Sequence, residues 1–313
     1  MLVLKVLGII FFSYVLGKTT SHLIKHLAVF SRVFKIGQFE ATAIIMSIAT
    51  TLPEILVSVA ASLSKVSDLA LGNAVGSNVV NLSLVIGITA IAGRSLHFRG
   101  DVAIKNKFLP IAYTLIPFLA LWDGKLTRID GVILILTYVV YAFGLLKKPN
   151  TEEEKEKQVY DTGKVSVLVL KIGFWVGIMA LASQVIVYLA KQVALDFGLP
   201  VLFVGLFVVA VGTSLPELVF NVKAVSKRRI SMSMGNLVGA CVSNSTLVIG
   251  LSAIINPIVI ENYYQIALPG MEYVFIVILM LFFVHSKHRL DWWEGLILTI
   301  LFVYYTILGM AVF

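Results

Sequence analysis

Two glutamates, Glu54 and Glu217, lie in the middle of long apolar stretches of the sequence. An ionised carboxylate at the centre of a bilayer costs at least ~2.5 kcal/mol, so an acid in such a position is kept for a function or for a buried ion pair. Lys18 and Lys171, in two other apolar stretches, are the candidates for such a pair. We favour the alternative, in which the two carboxylates together bind a cation.

A proline directly precedes each glutamate, at Pro53 and Pro216. Proline has no backbone N–H and clashes with the carbonyl four residues earlier, so it interrupts a helix and frees the carbonyls of Ala49 and Gly212. Neighbouring hydroxyls either satisfy these carbonyls or join them in coordinating a cation, and we favour coordination. The hydroxyl-bearing candidates are Thr50, Thr51, Thr213 and Ser214.

Both glutamates belong to a repeated pattern. Residues 49–54 (ATTLPE) recur as 212–217 (GTSLPE), and residues 72–81 (GNAVGSNVVN) recur as 235–244 (GNLVGACVSN). Both pairs of motifs are separated by the same offset of 163 residues. A constant offset over two motifs indicates an internal structural repeat rather than chance similarity between apolar helices.

Each copy also carries small polar residues at intervals of four, which places them on one face of a helix. Such residues could hold helices together, and the glycines beside them allow close packing. Because the stripe recurs in both copies together with an acid, we favour the lining of a polar cavity. The stripes are Asn73, Ser77 and Asn81 in the first copy and Asn236, Ala240 and Asn244 in the second.

The candidate ligands are all hard oxygen atoms from carboxylates, hydroxyls, amides and backbone carbonyls. Such ligands suit calcium, sodium or magnesium, whereas zinc and copper prefer imidazole or thiolate. Two glutamates balance one Ca²⁺, which accepts about six to eight oxygens at flexible distances, while Mg²⁺ resists dehydration. The single cysteine, Cys241, excludes an internal disulfide and a cysteine-based metal cluster.

The composition places these residues in a membrane protein. The 313 residues are 59% hydrophobic and 13% charged, with a mean hydropathy of +0.96, whereas soluble domains carry roughly 25% charged residues. Divided at charged or turn-rich breaks, the chain gives ten segments of membrane-spanning length. The predicted spans are residues 3–23, 37–63, 69–93, 106–122, 129–146, 165–190, 198–222, 232–257, 265–285 and 292–312.

The basic residues set the expected orientation. The net charge is +8, and most Lys and Arg residues fall in loops after odd-numbered spans, which suits the positive-inside rule and argues against nucleic-acid binding. This distribution predicts a multi-pass protein of the cell membrane with both termini outside.

The charged stretch 147–164 is predicted to be a cytoplasmic linker between a first repeat, 1–146, and a second repeat, 165–313. Each repeat holds an odd number of spans, so the second enters the membrane from the opposite side. The predicted fold is therefore an all-α membrane protein with ten transmembrane helices arranged as two inverted five-helix repeats. Transporters of this kind bind their substrate near the midplane with interrupted helices.

The motifs resemble the alpha repeats of the calcium/cation antiporter superfamily, and the GTSLPE form is similar to its sodium/calcium exchanger branch. The resemblance implies exchange of Ca²⁺ for Na⁺ by alternating access at overlapping sites. It implies a calcium site of Thr50, Glu54, Thr213 and Glu217, completed in the middle by Asn81 and Asn244. It implies an inner sodium site of Thr51, Ser77 and the Ser47 carbonyl, and an outer one of Ser214 and the Ala210 carbonyl.

The sequence departs from the family pattern in three places. Ala49 replaces the first glycine of the motif, Ala240 replaces a serine that usually binds the outer sodium, and Asn244 replaces a common aspartate. The lost hydroxyl bears on sodium coupling, so a Ca²⁺/H⁺ antiporter is the alternative. The proton-coupled branch, however, usually has a Gly-Asn motif before its glutamates, and this motif is absent here.

The expected function is a secondary active antiporter that exchanges Ca²⁺ for Na⁺. A cation channel is a further alternative and would conduct without coupling the two ions. No pair of residues resembles a nucleophile and its base, so the protein is not expected to be an enzyme. We expect no cofactor, a monomer as the functional unit, and the two ions and the lipid bilayer as partners.

Overall fold

The computed structural model describes residues 2–33, 44, 46–97, 109–146, 162–260, 264–287 and 289–312. These residues form ten helical segments in the order of the predicted spans, and seven of the ten are long and apolar enough to cross a membrane. The segments are α1 (Leu2–Val33), α2 (Ser47–Leu63), α3 (Ser67–Ala92), α4 (109–123), α5 (Arg128–Leu146), α6 (Thr162–Phe197), α7 (Val201–Ser226), α8 (Ile230–Ile255), α9 (Tyr264–Lys287) and α10 (Trp292–Val312).

The other three helices, α2, α4 and α9, have shorter apolar stretches, at residues 47–63, 110–123 and 269–283. The predicted second span began at residue 37, but residues 34–43 lie outside the described part of the chain. Most of the predicted linker, 147–161, lies outside it as well. Helix α6 begins at Thr162, three residues earlier than expected, and extends to Phe197 instead of residue 190.

The helices form a buried centre and an outer layer. In the most apolar stretch of each long helix, 72–83% of the residues are buried in α3, α7 and α8, against 22–28% in α1, α5, α6 and α10. The outer helices expose large apolar side chains such as Leu170 and Leu181. Apolar side chains facing outwards suit a lipid environment, so the centre of the helical assembly is the place for polar groups.

Four short strands link the two halves of the chain. Strand β1 (Ser95–His97) follows α3 and pairs antiparallel with β4 (Arg289–Asp291), which precedes α10. Strand β2 (Lys125–Leu126) precedes α5 and pairs antiparallel with β3 (Ile258–Val259), which follows α8. Helix α5 of the first half packs against α8 of the second, and α10 of the second half packs against α3 of the first.

Helices α5 and α10 begin with equivalent capping interactions. In α5, the backbone N–H of Thr127 donates to Asp130 Oδ2 at 2.8 Å. In α10, the backbone N–H of Asp291 donates to Glu294 Oε2 at 2.8 Å. An acid in the first turn satisfies an unpaired backbone donor and complements the helix dipole, which explains why both helices start directly after their strands.

Helices α5 and α10 approach α8 and α3, respectively, through glycines. A Cβ atom on Gly87 of α3 would lie 2.5 Å from the carbonyl oxygen of Gly295 of α10. A Cβ atom on Gly250 of α8 would lie 2.9 Å from the carbonyl oxygen of Gly131 of α5. Glycine is required at these crossings because a side chain would separate the backbones.

The two central helices α3 and α8 run antiparallel. Ser67, at the start of α3, accepts a hydrogen bond of 2.5 Å from the side chain of Asn256, just after α8. Halfway along, Asn78 Nδ2 donates to the carbonyl of Cys241 at 3.2 Å and to Ser245 Oγ at 2.6 Å. Asn78 and Cys241 are 163 residues apart, so equivalent positions of the two motifs meet there.

The two prolines have different effects on the backbone. Helix α2 continues through Pro53 from Ser47 to Leu63. Helix α7 is interrupted at Ser214, whose ψ of 3° ends one helical segment before Leu215 starts the next. The predicted interruption is therefore confirmed in α7 and wrong for α2. In α7, Gly212 packs directly against Ser13 of α1 and leaves no room for a Cβ atom.

Candidate cation-binding site

Glu54 of α2 and Glu217 of α7 lie in the buried centre, and both side chains have 0% exposure. They are close enough for their charges to interact. Neither is paired with the lysines proposed as partners. Lys18 and Lys171 are exposed on the outer helices α1 and α6, and the Lys18 ammonium lies 5.8 Å from the ring centroid of Tyr14.

One carboxylate is held by hydroxyls from both halves of the chain. Glu54 Oε1 accepts hydrogen bonds from Ser77 Oγ of α3 at 3.4 Å and from Ser214 Oγ of α7 at 3.3 Å. Thr213 also faces this carboxylate, and its hydroxyl lies 3.4 Å from that of Ser77. Glu54 Oε2 has no hydrogen-bond partner among the described residues.

The second carboxylate lacks such support. Thr50 and Thr51 of α2 face Glu217, yet neither carboxylate oxygen of Glu217 has a hydrogen-bond partner within the described ranges. The hydroxyl of Thr51 is likewise unpartnered there. A buried carboxylate without a donor is costly, and a bound cation would offset this cost directly.

The two threonines four residues before the glutamates also connect the halves. Thr50 Oγ1 donates to Asn236 Oδ1 at 3.2 Å, and Thr213 Oγ1 donates to Asn73 Oδ1 at 3.1 Å. The same hydroxyls reach backbone carbonyls of their own helices, that of Ser47 at 3.1 Å and that of Ala210 at 3.2 Å.

Further unpartnered polar atoms lie in the central helices. Both amide atoms of Asn81 and of Asn244 are buried and have no hydrogen-bond partner in the described part of the chain. Native proteins contain few such groups, and a bound cation would account for the two amide oxygens, which are acceptors. These asparagines stand at the starts of π-helical turns, Asn81–Val85 and Ser243–Val248, and π-helical turns are frequent at functional sites.

All eleven residues predicted for the ion sites are buried in α2, α3, α7 and α8. Hydrogen bonds join Glu54, Ser77, Thr213 and Ser214 directly. The described residues contain no group of three or more His, Cys, Asp and Glu side chains suited to a metal. The available ligands are thus two carboxylates with hydroxyl, amide and carbonyl oxygens, which fit a hard cation.

The sequence analysis missed two asparagines. Asn221 Nδ2 donates to the carbonyl of Glu217 at 2.8 Å, and its Oδ1 accepts from Ser233 Oγ at 2.8 Å. Asn78 joins α3 to α8. The signal for Asn221 was its position four residues after the glutamate; for Asn78 it was its place inside the repeated motif, directly after Ser77.

Comparison with known proteins agrees with this architecture. Residues 4–147 and 166–310 match the family described as sodium/calcium exchanger protein. The chain is 33% identical to the inner membrane protein YrbG of Escherichia coli (strain K12), over 74% of this chain and 73% of that protein. It is 25% identical to the sodium/calcium exchanger MaX1 of Methanosarcina acetivorans, over 95% of both chains.

Among solved structures, the sodium-calcium exchanger NCX_Mj has the same fold, with a TM-score of 0.69 over 97% of this chain and 98% of that one. At 24% identity this likeness concerns the fold. The family match covers nearly the whole chain and includes both glutamate motifs. The protein is therefore a multi-pass membrane protein that belongs to the sodium/calcium exchanger family.

Proposed function

We propose that this protein is a secondary active antiporter that exchanges Ca²⁺ for Na⁺ by alternating access. The observation that carries the proposal is the pair of fully buried glutamates from opposite halves of the chain, three of whose four carboxylate oxygens have no hydrogen-bond partner among the described residues. Two carboxylates match the charge of one Ca²⁺. Binding of Na⁺ at overlapping ligands would displace Ca²⁺ and couple the two fluxes.

The ligand assignment extends this proposal to particular residues. Calcium is bound by the two glutamates with Thr50 and Thr213, and Asn81 and Asn244 complete the middle of the site. Sodium is bound on one side by Thr51, Ser77 and the Ser47 carbonyl, and on the other by Ser214 and the Ala210 carbonyl. Their burial in the central helices supports the assignment.

The proposed transport cycle requires ten spans in two inverted repeats, 1–146 and 165–313. The antiparallel course of α3 and α8 supports it, because these helices carry equivalent motifs. An inverted repeat allows the two halves to exchange roles when the site opens to the other side. With both termini outside, the loops after odd-numbered spans would be cytoplasmic, and cysteine labelling from either side of the membrane tests that orientation.

Protons are the alternative counter-ion. Ala240 carries no hydroxyl for a sodium ion, and this observation favours a weaker dependence on sodium. A channel, by contrast, would pass Ca²⁺ without a counter-ion. The proposed exchanger therefore requires that calcium flux depend on an opposing sodium gradient.

The decisive experiment is ⁴⁵Ca²⁺ uptake into proteoliposomes that contain the purified protein. An outward Na⁺ gradient should drive uptake, whereas an outward K⁺ gradient of equal ionic strength should not. A proton gradient without sodium is the second arm. Uptake that follows the proton gradient and ignores sodium would replace the sodium proposal, and uptake without any gradient requirement would indicate a channel.

A further inference from the structure

Two asparagines, Asn73 and Asn236, contact the site without belonging to the proposed ligand set. Asn236 Oδ1 accepts the hydroxyl of Thr50, and Asn73 Oδ1 accepts the hydroxyl of Thr213. All four side chains have 0% exposure. Each bond joins opposite halves of the chain, and the repeat offset of 163 residues converts one bond into the other.

The direction of these hydrogen bonds affects the site. A threonine hydroxyl has one hydrogen and two lone pairs, and a cation is bound by the lone pairs. An amide oxygen and a carbonyl of the same helix lie within hydrogen-bond distance of each hydroxyl, and the Thr213 hydroxyl also lies 3.4 Å from that of Ser77. The two threonines also face Glu217 and Glu54 respectively, so the acceptor that takes each hydrogen decides where the lone pairs of the hydroxyl point.

We infer that Asn73 and Asn236 are positioning residues for cation binding. Each amide oxygen holds the hydrogen of a threonine from the other half of the chain, so that the hydroxyl turns its lone pairs towards the ion between the glutamates. Each bond also fixes α2 or α7 against the central helix of the opposite half. The inference rests on the proposed cation site but not on which ion drives transport.

Asn236 gives the cleaner test of this role. Its Nδ2 has no hydrogen-bond partner among the described residues, so the bond from Thr50 accounts for an amide at this position. Asn73 has a second role, because its Nδ2 donates to the carbonyl of Glu54 at 3.3 Å and to Ser58 Oγ at 3.0 Å. Loss of Asn73 would therefore disturb the α2 backbone as well as the hydroxyl.

The experiment is a double-mutant cycle between Asn236→Leu and Thr50→Val. The readout is the Ca²⁺ concentration, and separately the Na⁺ concentration, that gives half-maximal thermal stabilisation of the purified full-length protein. We expect each single change to raise the half-maximal Ca²⁺ concentration about fivefold, as for one lost hydrogen bond or ligand. The double variant should be no weaker than Thr50→Val alone, because Asn236 then has no hydroxyl to position.

The control is the crossed pair, Asn236→Leu with Thr213→Val, because these two residues share no hydrogen bond. In this pair the two increases in the half-maximal Ca²⁺ concentration should multiply. If the effects of Asn236→Leu and Thr50→Val on the half-maximal Ca²⁺ concentration multiply instead, the inference is overturned and Asn236 is a packing residue. Asn236→Ala replaces the leucine variant if that protein does not fold.

The outcomes separate this inference from the proposed exchange. Suppose that Ca²⁺ stabilises the wild-type protein and the cycle shows coupling between Asn236 and Thr50, but the wild-type protein does not transport Ca²⁺. The exchange proposal then fails and the positioning role stands. If it transports Ca²⁺ and the cycle shows no coupling between Asn236 and Thr50, the positioning role alone fails. Stabilisation by neither ion would overturn both.

Discussion

The two halves of the site carry equivalent motifs but provide different hydrogen-bond donors. Glu54 Oε1 receives hydroxyls from Ser77 and Ser214, whereas neither oxygen of Glu217 receives a hydrogen bond from the described residues. The position equivalent to Ser77 is Ala240, which has no hydroxyl to donate. A difference at one position of the repeat thus leaves Glu217 without a donor that Glu54 has.

The position equivalent to Ser214 is Thr51, which retains a hydroxyl but has no hydrogen-bond partner in the described ranges. The backbone explains part of this difference, because α7 is interrupted at Ser214 whereas α2 passes Thr51 as a continuous helix. Repeats that match in sequence can therefore provide two unequal ion-binding halves.

The largest expected effect comes from removing either charge. Glu54→Gln and Glu217→Gln should each reduce ⁴⁵Ca²⁺ uptake into proteoliposomes to background, because the remaining carboxylate cannot balance Ca²⁺. Without ions the two variants should differ. Glu217→Gln should raise the thermal unfolding temperature more than Glu54→Gln, since it removes a buried charge that loses no hydrogen bond.

Equal unfolding temperatures for the two glutamine variants would contradict the contrast between the carboxylates. Uptake that persists in one of them would show that the other glutamate is sufficient for transport. Asp68→Asn on α3, at an exposed position, provides a control for the loss of an acid outside the site.

The second prediction makes the two halves alike. Ala240→Ser would offer Glu217 the donor that Glu54 has, and Ser77→Ala would remove it from Glu54. We expect the first to lower, and the second to raise, the Na⁺ concentration for half-maximal drive of Ca²⁺ uptake, each about fivefold. If Ser77→Ala acts and Ala240→Ser does not, the inequality originates in the break of α7 rather than at position 240.

Much of this site could be predicted from the sequence because both copies of the repeat carry a glutamate and polar residues at equivalent positions. The constant offset identified Glu54 and Glu217, and hydropathy placed them inside a membrane protein. The helical period then grouped Asn73, Ser77 and Asn81 on one face. These inferences need only local geometry, since residues four apart on a helix share a face.

Contacts between distant helices could not be derived in the same way. The strand pairs beside α5 and α10 join residues from the two halves of the chain. They depend on tertiary packing, and no pattern in the nearby sequence predicts them. Asn221 lies four residues after Glu217, but its contact with Ser233 of α8 could not be derived from the sequence. Pro53 and Pro216 stand in equivalent motifs, so the sequence could not show that only α7 is interrupted.

The third prediction concerns the packing of α10 against α3 and of α5 against α8. Gly87→Ala and Gly250→Ala should both destabilise the protein, by about 1–3 kcal/mol, because the new methyl group would overlap backbone atoms. The effect should be greater at Gly87, where the nearest backbone oxygen is 2.5 Å from the Cβ position, against 2.9 Å at Gly250. Thermal unfolding in detergent measures both.

Gly177→Ala in α6 is the matched control, because a Cβ atom there meets nothing within 4 Å. It should be neutral or stabilise the helix by up to about 1 kcal/mol. A larger loss at Gly250 than at Gly87 would mean that the contact between α5 and α8 is the stiffer of the two crossings.

The smallest expected effect lies in the turns after α2 and α7, where the halves are most alike. Lys65 and Arg228 have φ angles of 57° and 58°, and the following N–H groups each bond back to a carbonyl five residues earlier at 2.9 Å. Glycine adopts this left-handed conformation without strain, so Lys65→Gly and Arg228→Gly should each stabilise the protein by about 0.5–1 kcal/mol. Because both positions are exposed and share one geometry, equal gains in thermal unfolding temperature are expected, and unequal gains would show that the halves differ in stability as well as in ion-site chemistry.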